Sequence, residues 1–129
     1  MSRLLTLTAI IEAPTGLALL VVPSVVVRLL LGSPLETSAA VTLGRVAGAA
    51  LLALGVACWL ARDDAHSQAA RGLVGAMVLY NVGAVLILGA VGIGSQLVGL
   101  VLWPAVALHA AMTVWCLMSL GRGNREPAT

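Results

Sequence analysis

The sequence predicts an all-α integral membrane bundle of four transmembrane helices, and three observations point to it. The chain of 129 residues is 60% hydrophobic and only 9% charged, whereas an ordinary soluble domain carries about 25% charged residues. Its mean hydropathy is +1.08. Four apolar segments of bilayer-crossing length are separated by short stretches rich in Gly, Pro, Ser and Asp. At this length they form one domain, residues 1–121, followed by a cytoplasmic tail, 122–129, whose composition (RGNREPAT) predicts disorder.

The first span runs from Leu4 to Val22, and Glu12 is its single formally charged residue. Nineteen helical residues rise about 28 Å, close to the hydrocarbon thickness of a bilayer. Glu12 then falls near the midplane, where an ionised carboxylate costs at least ~2.5 kcal/mol. Pro14, two residues later, withholds an N–H from the preceding turn. Met1-Ser2-Arg3 ahead of an apolar run resembles a signal peptide, but the run is too long and is interrupted by Glu12. We read an uncleaved helix.

Pro23 opens PSVVVRLLLGSP, and Gly32-Ser33-Pro34 closes it. One unbroken helix from Leu4 to Leu31 would have 28 residues, which is long for a simple span. The preferred reading is a short interfacial helix, Ser24 to Leu31, with Arg28 reaching toward headgroups. The alternative is a single long, tilted and twice-kinked helix.

Thr37 and Ser38 are good N-caps for the second span, about 39–61. Gly44, Gly48 and Gly55 form a small-residue stripe suited to close packing, within the bundle or on a dimer face. Arg45 lies between the first two of these glycines. The stretch ARDDAHSQAAR, 61–71, is a hydrophilic loop leading into the third span, about 72–91, and His66 is a solvated residue within it. GIGSQ, 92–96, reads as a tight turn before the fourth span, about 97–120. Cys58 and Cys116 lie in apolar segments without metal-ligand spacing, so they read as inert buried thiols. No metal and no cofactor is expected.

All seven basic residues are arginine, and the net charge of +2 includes no basic run, which excludes nucleic acid as a partner. Arg3, Arg62, Arg71, Arg122 and Arg125 fall at the two termini and the central loop. The positive-inside rule then predicts a membrane protein with both termini cytoplasmic. Trp59, Trp103 and Trp115 read as interfacial belt residues.

Counting about 1.5 Å per residue from each span's centre puts Glu12, Tyr80, Asn81 and His109 at one depth, with Arg45 about 8 Å nearer the outside. These five are the candidate ligand-binding residues. Polar groups at mid-membrane face the bundle interior and pair with one another. Two roles follow for the cluster. One is a protonated Glu12 bonded to Asn81 or His109 that fixes helix packing. The other is a working site in which Glu12 exchanges a proton and His109 relays it.

The heptapeptide IIEAPTG around Glu12, together with chain length, resembles the small multidrug resistance transporters. That resemblance implies a dimeric four-span exporter in which the first-helix acid exchanges protons for a cationic substrate. Their Trp-x-Gly-x-Gly stretch and aromatic-rich middle spans are missing here. EAPTGLALLVVP followed by LLLG, and then GRVAGAALLALGVACWLAR, resembles four-span bacterial membrane proteins of the DoxX-like kind. That likeness implies a helical bundle with a small hydrophobic-ligand or accessory role. Three functions are therefore expected: binding of a small lipophilic ligand or accessory service to a larger membrane complex, proton-coupled export through Glu12, or acid–base catalysis by Glu12 and His109 on a lipophilic substrate.

Overall fold

The computed structural model describes residues 1–123, and no strand occurs among them. Its order is α1 (Ser2–Val21), α2 (Pro23–Leu31), α3 (Ser38–Ala61), a 3-10 turn (Arg62–Asp64), α4 (Gln68–Gly94) and α5 (Leu102–Gly123). Four of these helices, α1, α3, α4 and α5, are long and apolar enough to cross a membrane. Residues 122 and 123 of the expected tail continue α5, and 124–129 lie outside the described residues.

The chain does break between α1 and α2. Val22 leaves helical geometry at φ −128° and ψ 57°, and Pro23 occupies the first turn of α2, where its missing N–H costs nothing. Gly32 ends α2 in the left-handed region, φ 76°, and its N–H caps the Arg28 carbonyl at 2.8 Å. Thr37 accepts from Ala40 N at 3.1 Å to start α3, and Ser67 accepts from Ala70 N at 3.1 Å to start α4. The Ser67 cap places the start of α4 one turn before the expected Gly72.

The helices associate as two antiparallel pairs, α1 with α3 and α4 with α5. Backbone contact at glycines makes the first pair. A Cβ added to Gly48 would meet Leu20 N at 2.5 Å, and one added to Gly55 would meet Ala13 N at 2.7 Å. Gly16 faces the Leu51–Leu52 backbone in the same way, and Gly44 faces Pro23 and Leu35. The glycine stripe of α3 is thus used inside the chain. A shared core of Leu4, Leu5, Cys58, Val74, Met77 and Cys116 joins the two pairs. It lies near the N-terminus of α1, the Arg62–Asp64 turn and the C-terminal half of α5. The remaining helical surface is apolar and outward-facing, since only 11% to 33% of each candidate span is buried.

The expected fourth span starts too early. Apolar composition at 97–101 looks helical, but this stretch is a loop whose Gly99 and Val101 N–H groups donate to the Leu30 and Leu29 carbonyls, both at 3.1 Å. That pairing ties the end of α2 to the start of α5. The turn expected at 92–96 shrinks accordingly. Gly92 to Gly94 stay helical until Ser95 caps the Val91 carbonyl with its hydroxyl at 2.7 Å.

Gly48→Leu forces its side chain into the Leu19–Leu20 backbone of α1. It is expected to cost more than the ~1–3 kcal/mol of ordinary overpacking. Gly83→Ala meets nothing within 4 Å and should change stability by less than about 1 kcal/mol. Unfolding in mixed micelles measures both variants.

Candidate functional site

Glu12 is carried on the packed face of α1, one turn beyond Thr8. This face also bears Leu5, Ala9 and Gly16, and the close approach of Gly55 to Ala13 presses that level of α1 against α3. Close packing explains the burial: Glu12 is 5% exposed and Thr8 1%. The Thr8 hydroxyl has no hydrogen-bond partner. Glu12 forms no hydrogen bond or ion pair with any described residue. Cys58 belongs to the core cluster that includes Leu5 and Ala9 of this face, and Tyr80 packs against that cluster. Pro14 and Thr15 follow on the exposed side of α1, where the Thr15 hydroxyl donates to the Ile11 carbonyl at 2.7 Å.

The other wall comes from α4 and α5. Asn81, 1% exposed, donates through Nδ2 to the Met77 carbonyl at 2.7 Å and meets His109 Nδ1 through Oδ1 at 2.7 Å. The first bond fixes the amide orientation, because a flipped amide would set oxygen against the Met77 carbonyl. Oδ1 is therefore an acceptor, and His109 Nδ1 must carry the proton. A neutral His109 keeps Nε2 as a lone-pair acceptor, and Nε2 has no partner among the described residues. Tyr80 packs edge-on to the His109 ring with centroids 5.5 Å apart and an interplanar angle of 83°. The Thr113 hydroxyl donates to the His109 carbonyl at 2.9 Å.

Three of the five sequence candidates, Tyr80, Asn81 and His109, meet between α4 and α5, and a fourth, Glu12, is buried on α1. Asn81 and His109 bond to each other, and neither bonds to Glu12 as the packing role required. Arg45 stands apart. It is exposed and follows Gly44, which abuts Pro23, so it sits ten residues and about 15 Å along α3 from Gly55. Thr8 and Cys58 were not among the candidates. The signal for Thr8 was present as its i, i+4 spacing from Glu12, while that for Cys58 required the α1–α3 register. No group of three His, Cys, Asp or Glu side chains among the described residues is placed to hold a metal ion.

No family model matches the chain, and no curated protein and no solved structure is similar to it. The geometry of the chain itself carries the functional reading.

Nitrogen NMR of His109 in micelles is expected to show the Nδ1–H tautomer. Asn81→Leu should release that tautomer and cost about 1–3 kcal/mol, because it leaves His109 Nδ1–H buried and unpaired. A native His109 protonated at Nε2 would overturn the assignment.

Proposed function

We propose that the chain is a four-span protein of the bacterial cytoplasmic membrane, with both termini inside, that binds a small lipophilic ligand at its midplane. The outward-facing apolar surface of all four long helices supports insertion, since lipid is the medium in which such a surface is stable. The arginines at the N-terminus and central loop support the orientation.

One observation carries the binding role. The Thr8 hydroxyl is buried without a hydrogen-bond partner, and the buried Glu12 one turn away makes no hydrogen bond or ion pair with any described residue. A buried polar group without a partner costs about 1–3 kcal/mol, and more if charged. A ligand with a hydrogen-bonding head and an apolar body supplies the missing partners. On α4 and α5 the Tyr80 hydroxyl and the His109 Nε2 lone pair are a further donor and acceptor. An accessory role in a larger membrane complex is compatible with such a site.

Removing the unpaired acid tests this reading directly. Glu12→Leu combined with Thr8→Val is expected to stabilise the purified protein by about 1–3 kcal/mol. The same variant should lose about tenfold in photolabelling of α1 and α4 by a diazirine-bearing fatty alcohol, a loss of about 1.4 kcal/mol in binding. A destabilised variant with unchanged labelling would return Glu12 to a packing role.

A second reading, proton-coupled export, is favoured by a different observation. No cationic side chain among the described residues pairs with Glu12, so its counter-charge is a proton or a cationic substrate. Under this reading Glu12→Gln abolishes proton-driven tetraphenylphosphonium flux in liposomes. Flux that is absent in the wild type, or unchanged in the variant, removes it. Acid–base catalysis finds less support, because Glu12 and His109 share no hydrogen bond and His109 Nδ1 is held by Asn81.

A further inference from the structure

A second site lies away from the polar midplane. A cavity of about 330 Å³ opens at α2, lined by Ser24, Val25, Arg28, Leu29 and Pro34. Val25, Leu29 and Pro34 make its walls apolar, while Ser24 and Arg28 supply a hydroxyl and a guanidinium. Arg28 is exposed and forms no hydrogen bond or ion pair with any described residue. Its five donors are free to meet an anion. Val25 and Leu29 are themselves 55% and 47% exposed, so α2 presents an apolar face and a cation side by side. That is the pattern of a helix lying at a membrane surface.

We propose that this cavity binds one anionic phospholipid, its phosphate on Arg28 and Ser24 and the start of its acyl chain along Val25, Leu29 and Pro34. Guanidinium and phosphate match in geometry and charge, and their hydrogen bonds are charge-assisted. The charge balance at this end of the chain agrees. Arg45 directly follows Gly44, which meets Pro23 at the start of the helix that carries Arg28, and the acid between the two arginines in sequence, Glu36, is exposed and pairs with neither. A soluble phosphate compound would use the guanidinium alone and leave the apolar walls bare. The position also gives the lipid a structural effect, because the Leu29 carbonyl accepts from Val101 N. A lipid held on α2 braces the joint between α2 and the start of α5.

This inference rests on the membrane reading above, and the two fail differently. A chain stripped from membranes by alkaline carbonate fails the membrane reading. A membrane-integrated chain without lipid selectivity fails only this inference. The experiment is native mass spectrometry of the full chain released from nanodiscs holding equal phosphatidylglycerol and phosphatidylcholine. The wild type is expected to retain one phosphatidylglycerol in about tenfold preference. Arg28→Ala and Val25→Trp, which fills the cavity but keeps the charge, should each abolish that preference. Preference surviving in Arg28→Ala overturns the site, and preference surviving in Val25→Trp reduces it to surface charge. Displacement of the lipid by inorganic phosphate or glycerol phosphate assigns the site to a soluble ligand instead.

Discussion

The contact on which the rest depends is the backbone-to-backbone approach of α1 and α3. Gly16, Gly48 and Gly55 let two helices meet where any side chain would strike main-chain atoms. In a bilayer no hydrophobic effect draws helices together, so such close van der Waals contact is a principal source of association. It fixes the α1 register against α3, with Ala13 beside Gly55 and Leu20 beside Gly48. That register buries Thr8 and Glu12 and brings Cys58 to their side. A sequence with larger residues on α3 would hold α1 farther out and leave Glu12 room for solvent or a partner.

The second pair is assembled differently. Along α4, Gly72, Gly75, Gly83 and Gly89 meet nothing within 4 Å, so these glycines are not spent on close packing. Specificity there comes from a polar link, Met77 carbonyl to Asn81 to His109, which ties α4 to α5 at the level of the site. In that chain of bonds only His109 Nε2 is left without a partner among the described residues. The two pairs therefore differ in kind: α4 and α5 join Asn81 to His109, and α1 with α3 leaves the Thr8 hydroxyl unpaired and Glu12 without a partner among the described residues.

Much of this was legible in the residues. The break at Pro23 and the cap at Thr37 depend on neighbours three or four positions away, and local chemistry suffices to read them. The shared level of Asn81 and His109, which do meet, follows from counting along spans. Partner choice does not. Asn81 and His109 prefer each other because α4 and α5 are direct neighbours, and depth carries no information on which helices adjoin. The 97–101 segment misleads for a related reason. Its Leu and Val content is that of a span, while its role is set by the α2 carbonyls that its N–H groups reach. Arg45, a charge in an otherwise apolar helix, already counts about 8 Å away from Glu12 in depth, and the α1–α3 register keeps the two apart.

The unsatisfied wall bears on how the site works. A protein that needed Glu12 for packing alone had Asn81 within reach in the sequence, yet the fold commits Asn81 to His109. What remains is a carboxyl and a hydroxyl facing an interior whose other polar groups are engaged or are free only at Tyr80 Oη and His109 Nε2. Retaining such groups in a low dielectric lowers stability, and functional sites are where that cost is commonly found. The glycine contact lets the chain tolerate it, because Gly16, on the same face of α1 as Glu12, already packs against main-chain atoms of α3.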